Sequence, residues 1–459
     1  MSATLVMTQD AYGELLQLAA APLESAAVLL ARLVGDDASG PRLVLTAVHP
    51  VSEDGYLERR HDGLEIASDG YMPALAEAAR TGMVAIWTHT HPGPRADVSP
   101  SRHDDHVNDE LRDLFALRTD TGYYAWIVLG ATEGSLTFTG ALEKTGAESV
   151  PITRLNAVGS RLQRSAAQDD TDTELPALFD RNIRALGTEV QKVITDLTIA
   201  VVGCGGTGSA VAEQLVRLGA RHLLLIDPDE LSESNLTRVY GSTPDAVGRA
   251  KVELLDEHLR RIAPDLTVRP VQGSINDERV ARVLLCADVV FGCTDDNAGR
   301  LRLSRLPYYY LVPLIDCGVL LDADANRLIS GVFGRVTVVH PGAACLLCRE
   351  RVDSRLAAAE LRDPDEQREL EREHYAPALP GIEPALVPFT TLVAAYAVSE
   401  LLERLIGYGE DPAPSELVLR VHDRKMNANS AAPTPGHYCD PTAPLEHDDE
   451  MFLGMNWTA

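Results

Sequence analysis

The chain has 459 residues, which is too long for one ordinary hydrophobic core and predicts two or three domains. With 45% hydrophobic and 24% charged residues, the composition is that of a globular protein. The net charge of −27 excludes general binding to nucleic acid or to anionic membranes, because phosphate groups are bound by clusters of lysine and arginine. The sequence shows neither a signal peptide nor an apolar run long enough to span a membrane. Its seven cysteines are thinly spread, which favours a reduced cytoplasm over a disulfide framework.

Residues 1–165 predict an α+β domain. A helix over residues 9–20 precedes strand-like segments at 25–33, 41–48, 83–89 and 123–130, and an acidic helix at 104–115 lies before the last of them. Residues 166–177 are short, polar and acidic, which indicates a linker.

Residues 178–440 show alternating strands and helices instead. Apolar strands are predicted at 197–203, 222–227, 266–273 and 288–293, and the first is followed by a glycine loop and a helix. This order is typical of a doubly wound, largely parallel α/β sheet. The charged stretch at 355–375 is predicted to be a surface helix, and 441–459 an acidic C-terminal tail.

The segment WTHTHP in the first domain contains a candidate metal site. His89 and His91 are two residues apart in a predicted strand, so both side chains point to one face and can bind one ion. Asp104 would complete three protein ligands and leave a position for water, which is the catalytic arrangement of zinc. Glu24, at the start of the first predicted apolar strand, is the candidate base for that water. An HxH pair alone is weak evidence.

The assembled pattern is more specific. An early Pro-x-Glu before a strand, then Trp-x-His-Thr-His-Pro, then Pro-Ser-x-x-Asp resembles the motif of the JAB/MPN (JAMM) metallopeptidases over about the first 150 residues. The resemblance implies that His89, His91 and Asp104 hold a catalytic zinc ion. It further implies that Glu24 activates the water and that Ser101 stabilises the tetrahedral oxyanion.

One departure from this family lies in the loop between His91 and Ser101, which is two residues longer than usual. With a loop of the usual length, Ser99 would take the place of Ser101, and Arg102 would take the place of Asp104. Arg102 cannot bind zinc. We therefore favour an insertion with Asp104 retained, and His103 and Asp105 are alternative ligands. A metal-free scaffold that only holds complexes together is the alternative for the whole domain.

In the second domain, the sequence VVGCGGTGSA stands between a predicted strand and a helix. Its glycines allow a tight turn and close approach of the backbone to phosphate, whose charge meets the helix N-terminus. Asp227, at the end of the next strand, is placed to bind ribose hydroxyls. Alone, these features would suggest a nicotinamide oxidoreductase. The loop glycines are Gly203, Gly205, Gly206 and Gly208.

The residues that follow argue against an oxidoreductase. Hydride transfer has no need for two cations and an amide after the second strand, whereas stabilising a pentavalent phosphate does. Asp295, at the end of a later strand, suits Mg²⁺ beside phosphates. The group after the second strand consists of Asp229, Asn235, Arg238 and Lys251.

The run of GxGGxG, D-x-D-x(5)-N-L-x-R, G-x-x-K and C-T-D resembles the ThiF/MoeB/ubiquitin-activating superfamily over roughly residues 178–440. The resemblance implies a Rossmann-like domain in which Asp227 holds ribose and Asp295 holds Mg²⁺. It also implies a homodimer, since FDRNIRALG resembles a segment that reaches the partner subunit. Asn182 and Val239 stand where the family commonly has glutamine. The residues expected to bind or neutralise the ATP phosphates are Asn235, Arg238, Lys251 and Arg181.

The reaction implied is attack of a C-terminal glycine carboxylate on the α-phosphate of ATP, giving an acyl-adenylate and pyrophosphate. The leading hypothesis is a bifunctional cytoplasmic enzyme that trims or removes a ubiquitin-like protein as an isopeptidase and adenylates its C-terminus. A downstream conjugating enzyme is a further expected partner. The alternatives are activation of a sulfur carrier for cofactor synthesis and a non-catalytic first domain.

Many relatives transfer the acyl group to a cysteine near a crossover loop, but here that place reads Ile382 and Glu383. Cys317 is an alternative acceptor, although its apolar surroundings are typical of a buried thiol. A second, structural zinc site is chemically acceptable, with reduced free thiols as the alternative. Its predicted ligands are Cys345, Cys348, Cys439 and His437.

Overall fold

A computed structural model describes residues 2–35, 40–93, 98–167, 175–323, 328–372, 385–442 and 451–457. The chain divides into two compact units, Met1–Thr173 and Glu174–Ala459.

The first unit has ten strands and three α-helices among its described residues. The strands are β1 (Ala3–Thr8), β2 (Ala26–Val34), β3 (Arg42–Pro50), β4 (Tyr56–Arg59), β5 (Leu64–Ile66), β6 (Val84–Thr90), β7 (Tyr123–Thr132), β8 (Ser135–Lys144), β9 (Val150–Val158) and β10 (Leu162–Ala166). The helices are α1 (Gln9–Ala19), α2 (Met72–Thr81) and α3 (Arg102–Thr119).

Eight of these strands form one sheet in the order β1-β3-β2-β6-β7-β8-β9-β10, and β4 pairs with β5 separately. β1 also pairs with β9 in parallel, which closes the sheet on itself. One core contains Tyr12 and Leu15 of α1, and a second contains Leu75 of α2 and Phe115 of α3. Both faces of β2 and β6 are covered, so the first seven residues of β2 and all seven of β6 are buried.

The second unit has eight strands and ten α-helices among its described residues. The strands are β11 (Thr198–Val202), β12 (His222–Asp227), β13 (Thr267–Gln272), β14 (Val289–Gly292), β15 (Leu314–Ala323), β16 (Ile329–Val339), β17 (Glu416–Arg420) and β18 (Lys425–Asn429). The helices are α4 (Asp180–Leu186), α5 (Thr188–Asp196), α6 (Gly206–Leu218), α7 (Lys251–Ile262), α8 (Glu278–Arg282), α9 (Asn297–Leu303), α10 (Leu306–Tyr310), α11 (Ser354–Glu360), α12 (Pro364–Arg372) and α13 (Val387–Ile406).

The sheet of the second unit has the order β13-β12-β11-β14-β15-β16-β17-β18. Its first five strands are parallel, as the strand–helix alternation predicts, and the pairs from β15 to β18 are antiparallel. The sheet is therefore mixed rather than largely parallel. The carboxyl ends of β11, β12 and β14 meet at one edge, where ligands of open α/β sheets bind.

Two further features differ from the sequence predictions. The charged stretch predicted as one helix is broken into α11 and α12, because Pro364 starts a new helix and Asp363 Oδ1 accepts a hydrogen bond from Asp365 N (2.9 Å). Residues 451–457, predicted to belong to a tail, pack against the second unit, with Phe452 and Leu453 buried. None of the described helices combines the length and apolar character needed to cross a membrane.

Candidate functional site

The first unit brings His89, His91 and Asp104 together at the end of β6. His89 lies in β6 opposite Ala26 of β2, and His91 extends the strand by donating its backbone N–H to Leu129 O of β7 (2.9 Å). The two imidazole centroids are 5.2 Å apart, as expected for residues on one face of a strand. Asp104 approaches from the first turn of α3.

The spacing of these three side chains suits one metal ion. Each offers one ligand atom within 4.8 Å of the others. His89 Nε2 lies 3.2 Å from Asp104 Oδ1, and His91 Nε2 lies 3.6 Å from Asp104 Oδ2. His89 Nε2 is nevertheless a buried atom without a hydrogen-bond partner among the described residues. Such an orphaned nitrogen beside a carboxylate fits a cation, since buried polar atoms otherwise find partners.

Asp104 is fixed by the N-terminus of its own helix. Ser101 caps α3, with Ser101 Oγ accepting from Asp104 N (3.2 Å) and Ser101 N donating to Asp104 Oδ2 (2.6 Å). Burial alone would raise the pKa of Asp104, but the facing His89 and His91 rings hold it well below its usual range. The structure therefore places Ser101 and Asp104 in the register that the longer loop requires. His103 and Asp105 are exposed and lie outside the cluster.

Glu24 lies immediately before β2, and the β4–β5 hairpin holds its backbone. Glu24 N donates to Arg60 O (2.8 Å), and Arg59 Nε donates to Glu24 O (2.8 Å). Burial raises the pKa of Glu24 to about 7, with an opposing effect from His91. A carboxyl with this pKa suits a group that accepts and returns a proton near neutral pH. The sequence analysis did not find the hairpin, whose strands have only four and three residues.

The glycine loop of the second unit is held by close backbone contacts. A Cβ on Gly208 would lie 1.8 Å from Gly203 O, and one on Gly203, which has φ +89°, would lie 2.7 Å from Cys293 O. Gly205 is the N-cap of α6 and has open space where its Cβ would be. The N-terminus of α6 and the space before Gly205 thus form a cradle for an anion.

Asp227 ties the glycine loop to the next strand. Asp227 Oδ2 accepts from Cys204 N (2.6 Å), and Asp227 Oδ1 accepts from Asp229 N (2.8 Å). Lys251 Nζ donates to Asp229 Oδ2 (2.7 Å) and lies 3.8 Å from Asp227 Oδ1. Burial raises the pKa of Asp227, opposed by Lys251 and the two amides. Three sequence-predicted residues therefore converge beside the cradle.

Arg238 and Asn235 lie on the segment after β12. The Arg238 side chain covers Gly206, where a Cβ would lie 3.1 Å from Arg238 Cγ. Arg238 Nη1 donates to Ser234 O (2.8 Å), and the buried Asn235 accepts from Ser232 N (3.1 Å) through Oδ1. The aliphatic part of the Arg238 side chain thus lies against the glycine loop, and its guanidinium is held by Ser234.

The two acidic residues after β14, Asp295 and Asp296, differ in their contacts. Asp296 is the N-cap of α9 and accepts from Gly299 N (2.7 Å) and Asn276 Nδ2 (3.0 Å). Asp295 is exposed. Because Cys293 N donates to Val202 O (2.7 Å), this loop lies beside the glycine loop. Asp295 is therefore an exposed acid beside the glycine loop, while Asp296 has a capping role that was not predicted from the sequence.

Arg181 and the two departures from the expected pattern have surroundings of their own. Arg181 is exposed in the first turn of α4 and forms no ion pair with any described residue. Asn182 Nδ2 donates to Leu218 O at the end of α6 (3.0 Å). Val239 packs with Leu231 and Leu254. Both departures thus have structural contacts of their own.

A second metal-ligand cluster lies in the second unit. Cys348 Sγ is 3.6 Å from Cys439 Sγ and 3.3 Å from His437 Nδ1, and Cys345 Sγ is 3.5 Å from His437 Nδ1. Ligand atoms of a tetrahedral zinc ion are separated by about 3.3–3.8 Å, given zinc–ligand bonds of about 2.0–2.3 Å. The four predicted ligands are therefore brought together with the spacing of a closed site.

Three other cysteines, Cys204, Cys293 and Cys317, are poorly placed to receive an acyl group. Cys204 and Cys317 are buried, and burial raises the pKa of Cys204 well above its usual value. The pKa of Cys293 is also raised, by its contact with the Cys317 thiol and by burial. A nucleophilic thiol needs access and a lowered pKa. Ile382 and Glu383 of the expected crossover position lie outside the described residues.

These features define a nucleotide-binding protein. The mixed α/β sheet carries the glycine loop, and a lysine, an arginine and acidic residues lie near that loop, as binding of phosphate groups requires. The sequence profile of the ThiF family matches residues 179–439. The chain belongs to the ThiF family through its second unit.

Several curated relatives share this similarity. The chain is 27% identical to molybdopterin-synthase adenylyltransferase of Escherichia coli K12 over 241 residues, 52% of the chain and 84% of that protein. It is 28% identical to the SAMP-activating enzyme E1 of Haloferax volcanii, covering 36% of the chain and 57% of that protein. It is 29% identical to ubiquitin-like modifier-activating enzyme 5 of Caenorhabditis briggsae, covering 47% of the chain and 48% of that protein. The chain therefore spans about half the length of the last two relatives.

Among solved structures, the crystal structure of E. coli MccB matches with a TM-score of 0.46 and 18% identity. The match covers 60% of the chain and 76% of MccB.

Proposed function

We propose that the second unit adenylates the C-terminal carboxylate of a ubiquitin-like or sulfur-carrier protein with ATP. The observation that carries this proposal is the convergence of Lys251, Asp229 and Asp227 beside the glycine cradle. The names of the relatives support the same reaction class: one is an adenylyltransferase and two are activating enzymes.

The residues of the cradle would act by positioning and neutralising charge. Backbone N–H groups at the start of α6 and the cations Lys251 and Arg238 would receive phosphate charge as it builds up. The Asp227 carboxylate would accept from ribose hydroxyls with the lone pairs that its two backbone amides leave free. Asp295 would hold Mg²⁺, which offsets the charge of the α- and β-phosphates when bound.

The burial of Cys204 and Cys317 and the raised pKa of Cys293 favour an adenylate as the product of this unit. Transfer of the acyl group would then occur on another protein. This supports both a conjugation pathway, with a downstream conjugating enzyme, and sulfur-carrier activation. The homodimer that would bring Arg181 to a partner's site, and the cytoplasmic location, remain predictions.

We propose further that the first unit is a JAB/MPN-type zinc isopeptidase that trims or removes the same carrier. His89, His91 and Asp104 would hold the zinc ion, which supplies Lewis-acid activation of water and of the scissile carbonyl when bound. Glu24 would accept the proton of the attacking water and pass it to the leaving amine. Ser101 Oγ accepts from Asp104 N and so keeps its own hydrogen for donation to an oxyanion.

A shared substrate gives a reason for joining the two units in one chain. Both would act on the flexible C-terminus of one carrier, and tethering raises the effective concentration of one site near the product of the other. The four cysteine and histidine ligands would hold a structural zinc ion.

The adenylation proposal is tested by ATP–pyrophosphate exchange with a ubiquitin-like protein encoded beside this chain. We expect exchange that depends on the carrier's terminal glycine and falls by about 100-fold or more in Lys251→Ala. Lys425→Ala, on the exposed strand β18, is the matched control and should retain exchange. Exchange that survives in Lys251→Ala would contradict the proposed site. A thiocarboxylate product would select the sulfur-carrier alternative.

The peptidase proposal is tested with the same carrier extended beyond its terminal glycine. We expect zinc-dependent release of the extension, reduced by about 100-fold or more in Glu24→Gln with zinc still bound. Glu65→Gln, an exposed acid on β5, is the control. Cleavage that is equal in Glu24→Gln and the parent chain, or a unit that binds no zinc, would favour a non-catalytic platform.

A further inference from the structure

Residues 451–457 form a compact segment folded against the α9–α10 side of the second unit. Phe452 and Leu453 are each 1% exposed. The Phe452 and Trp457 rings are stacked with centroids 5.6 Å apart, and Trp457 Nε1 donates to Phe452 O (2.9 Å). The segment therefore has a defined shape of its own.

The neighbouring helices hold this segment through specific contacts. Arg305 Nε donates to Leu453 O (2.7 Å) and Arg305 Nη2 to Gly454 O (3.2 Å), while the Arg282 guanidinium lies 4.5 Å from the Phe452 ring centroid. Leu453 has φ +60°, a left-handed conformation that costs a leucine free energy. Such a conformation persists where surrounding contacts determine it, which indicates a specific docking.

Trp457 covers a buried cation. The Arg302 guanidinium carbon lies 4.8 Å from the Trp457 ring centroid, and Arg302 is only 2% exposed. Arg302 Nη1 donates to Asn276 Oδ1 (2.8 Å). A cation facing an aromatic ring is attracted to it more strongly when water is excluded. Removing the indole would hydrate Arg302 and loosen its hold on Asn276.

Asn276 connects this cation to the loop after β14. Asn276 Nδ2 donates to Asp296 Oδ2 (3.0 Å), and the same oxygen accepts from Gly299 N to cap α9. Asp296 is the immediate neighbour of Asp295. A continuous series of contacts thus runs from Trp457 through Arg302 and Asn276 to the acid next to Asp295.

We propose that Trp457 is a positioning residue for Asp295, fixing the loop that carries this carboxylate through Arg302, Asn276 and Asp296. The inference rests on the proposed role of Asp295 in binding Mg²⁺. It assigns to residues 451–457 a part in nucleotide binding that lies outside the motifs of the glycine loop.

The test is calorimetric titration of the whole chain with ATP, once with Mg²⁺ and once with EDTA. We expect Trp457→Ala to weaken binding by about 5-fold with Mg²⁺, which is less than a desolvated cation–π contact is worth because the effect reaches Asp295 only through other residues, and to leave binding in EDTA unchanged. Trp457→Phe should restore most of the Mg²⁺-dependent affinity, because it keeps an aromatic face over Arg302. Met451→Ala, at an exposed position of the same segment, is the control.

A second readout does not depend on the stability of Trp457→Ala. The chain has three tryptophans, and in Trp87→Phe/Trp126→Phe only Trp457 remains. Its emission should shift when ATP and Mg²⁺ are added together and stay constant with ATP in EDTA.

Equal weakening of ATP binding with and without Mg²⁺, or no weakening in either, would overturn the inference, as would an unresponsive Trp457 emission. Asp295→Asn separates this failure from that of the proposed function. If Asp295→Asn removes the Mg²⁺ dependence and Trp457→Ala does not, only the positioning role fails. If Asp295→Asn leaves the Mg²⁺ dependence intact, the proposed Mg²⁺ site fails as well.

Discussion

In the first unit, the three candidate metal ligands lie at the end of β6 and in the first turn of α3, which have hydrogen bonds of their own, whereas in the second unit the four candidate ligands lie on two loops. His89 belongs to β6, and Asp104 to the capped first turn of α3. Cys345 and Cys348, by contrast, lie in a turn after β16, and His437 and Cys439 in another turn some 90 residues later. An ion bound by the four ligands would cross-link distant parts of the chain.

The two clusters should therefore differ in whether a bound metal serves a reaction or the stability of the fold. A three-ligand site leaves a coordination position for a reactant, while four protein ligands close the site. Metal at the first cluster should therefore matter for reaction and little for folding, and metal at the second should matter for folding. The glycine loop should also matter for folding, because its close backbone contacts are part of the packing of the second unit.

Cys348→Ser is expected to have the largest effect on stability. Loss of one ligand removes the cross-link between the two loops, and we expect the free energy of unfolding of the second unit to fall by about 4 kcal/mol or more. Bound zinc, measured by mass spectrometry of the metal, should fall by one ion per chain. Cys286→Ser, outside the cluster, is the control. If the free energy of unfolding is the same in Cys348→Ser and in the parent chain, the second cluster has no structural role and does not differ from the first in this way.

Gly208→Ala should be the next most damaging change. Its Cβ would lie 1.8 Å from Gly203 O, so backbone must move, and we expect a loss of about 3 kcal/mol in urea unfolding.

Gly205→Ala is the matched comparison, because its Cβ would meet open space. Stability should change by less than about 0.5 kcal/mol, while ATP affinity falls since the methyl group enters the cradle. Equal stability losses in the two alanine variants would contradict the close contact at Gly208.

His91→Ala should also have a small effect on folding. Because β6 and the cap of α3 hold without this side chain, we expect the free energy of unfolding of the first unit to change by less than about 1 kcal/mol. Zinc at the first cluster and cleavage of the extended carrier should both be lost. A large drop in stability would show that the first cluster also has a structural role.

Local patterns account for what the sequence predicted well. The histidine pair, the glycine loop and the residues after β12 lie on single elements, so spacing along the chain places them. The β16–β17 pairing, the contact of Glu24 with Arg59 and the docking of Trp457 on Arg302 join residues distant in sequence. No periodicity encodes such contacts, which is why they became visible only in the folded chain. The break before α12 was readable from Asp363 and Pro364, a helix-start signal within the charged stretch.

The two backbone amides bound by Asp227 have a consequence for how a nucleotide would arrive. Cys204 N and Asp229 N both donate to this buried carboxylate, so contacts within the protein itself fix the shape of the glycine loop. A preorganised loop spends little conformational entropy on ordering during binding. We therefore expect association limited by diffusion and orientation, with differences in nucleotide affinity expressed mainly in the dissociation rate.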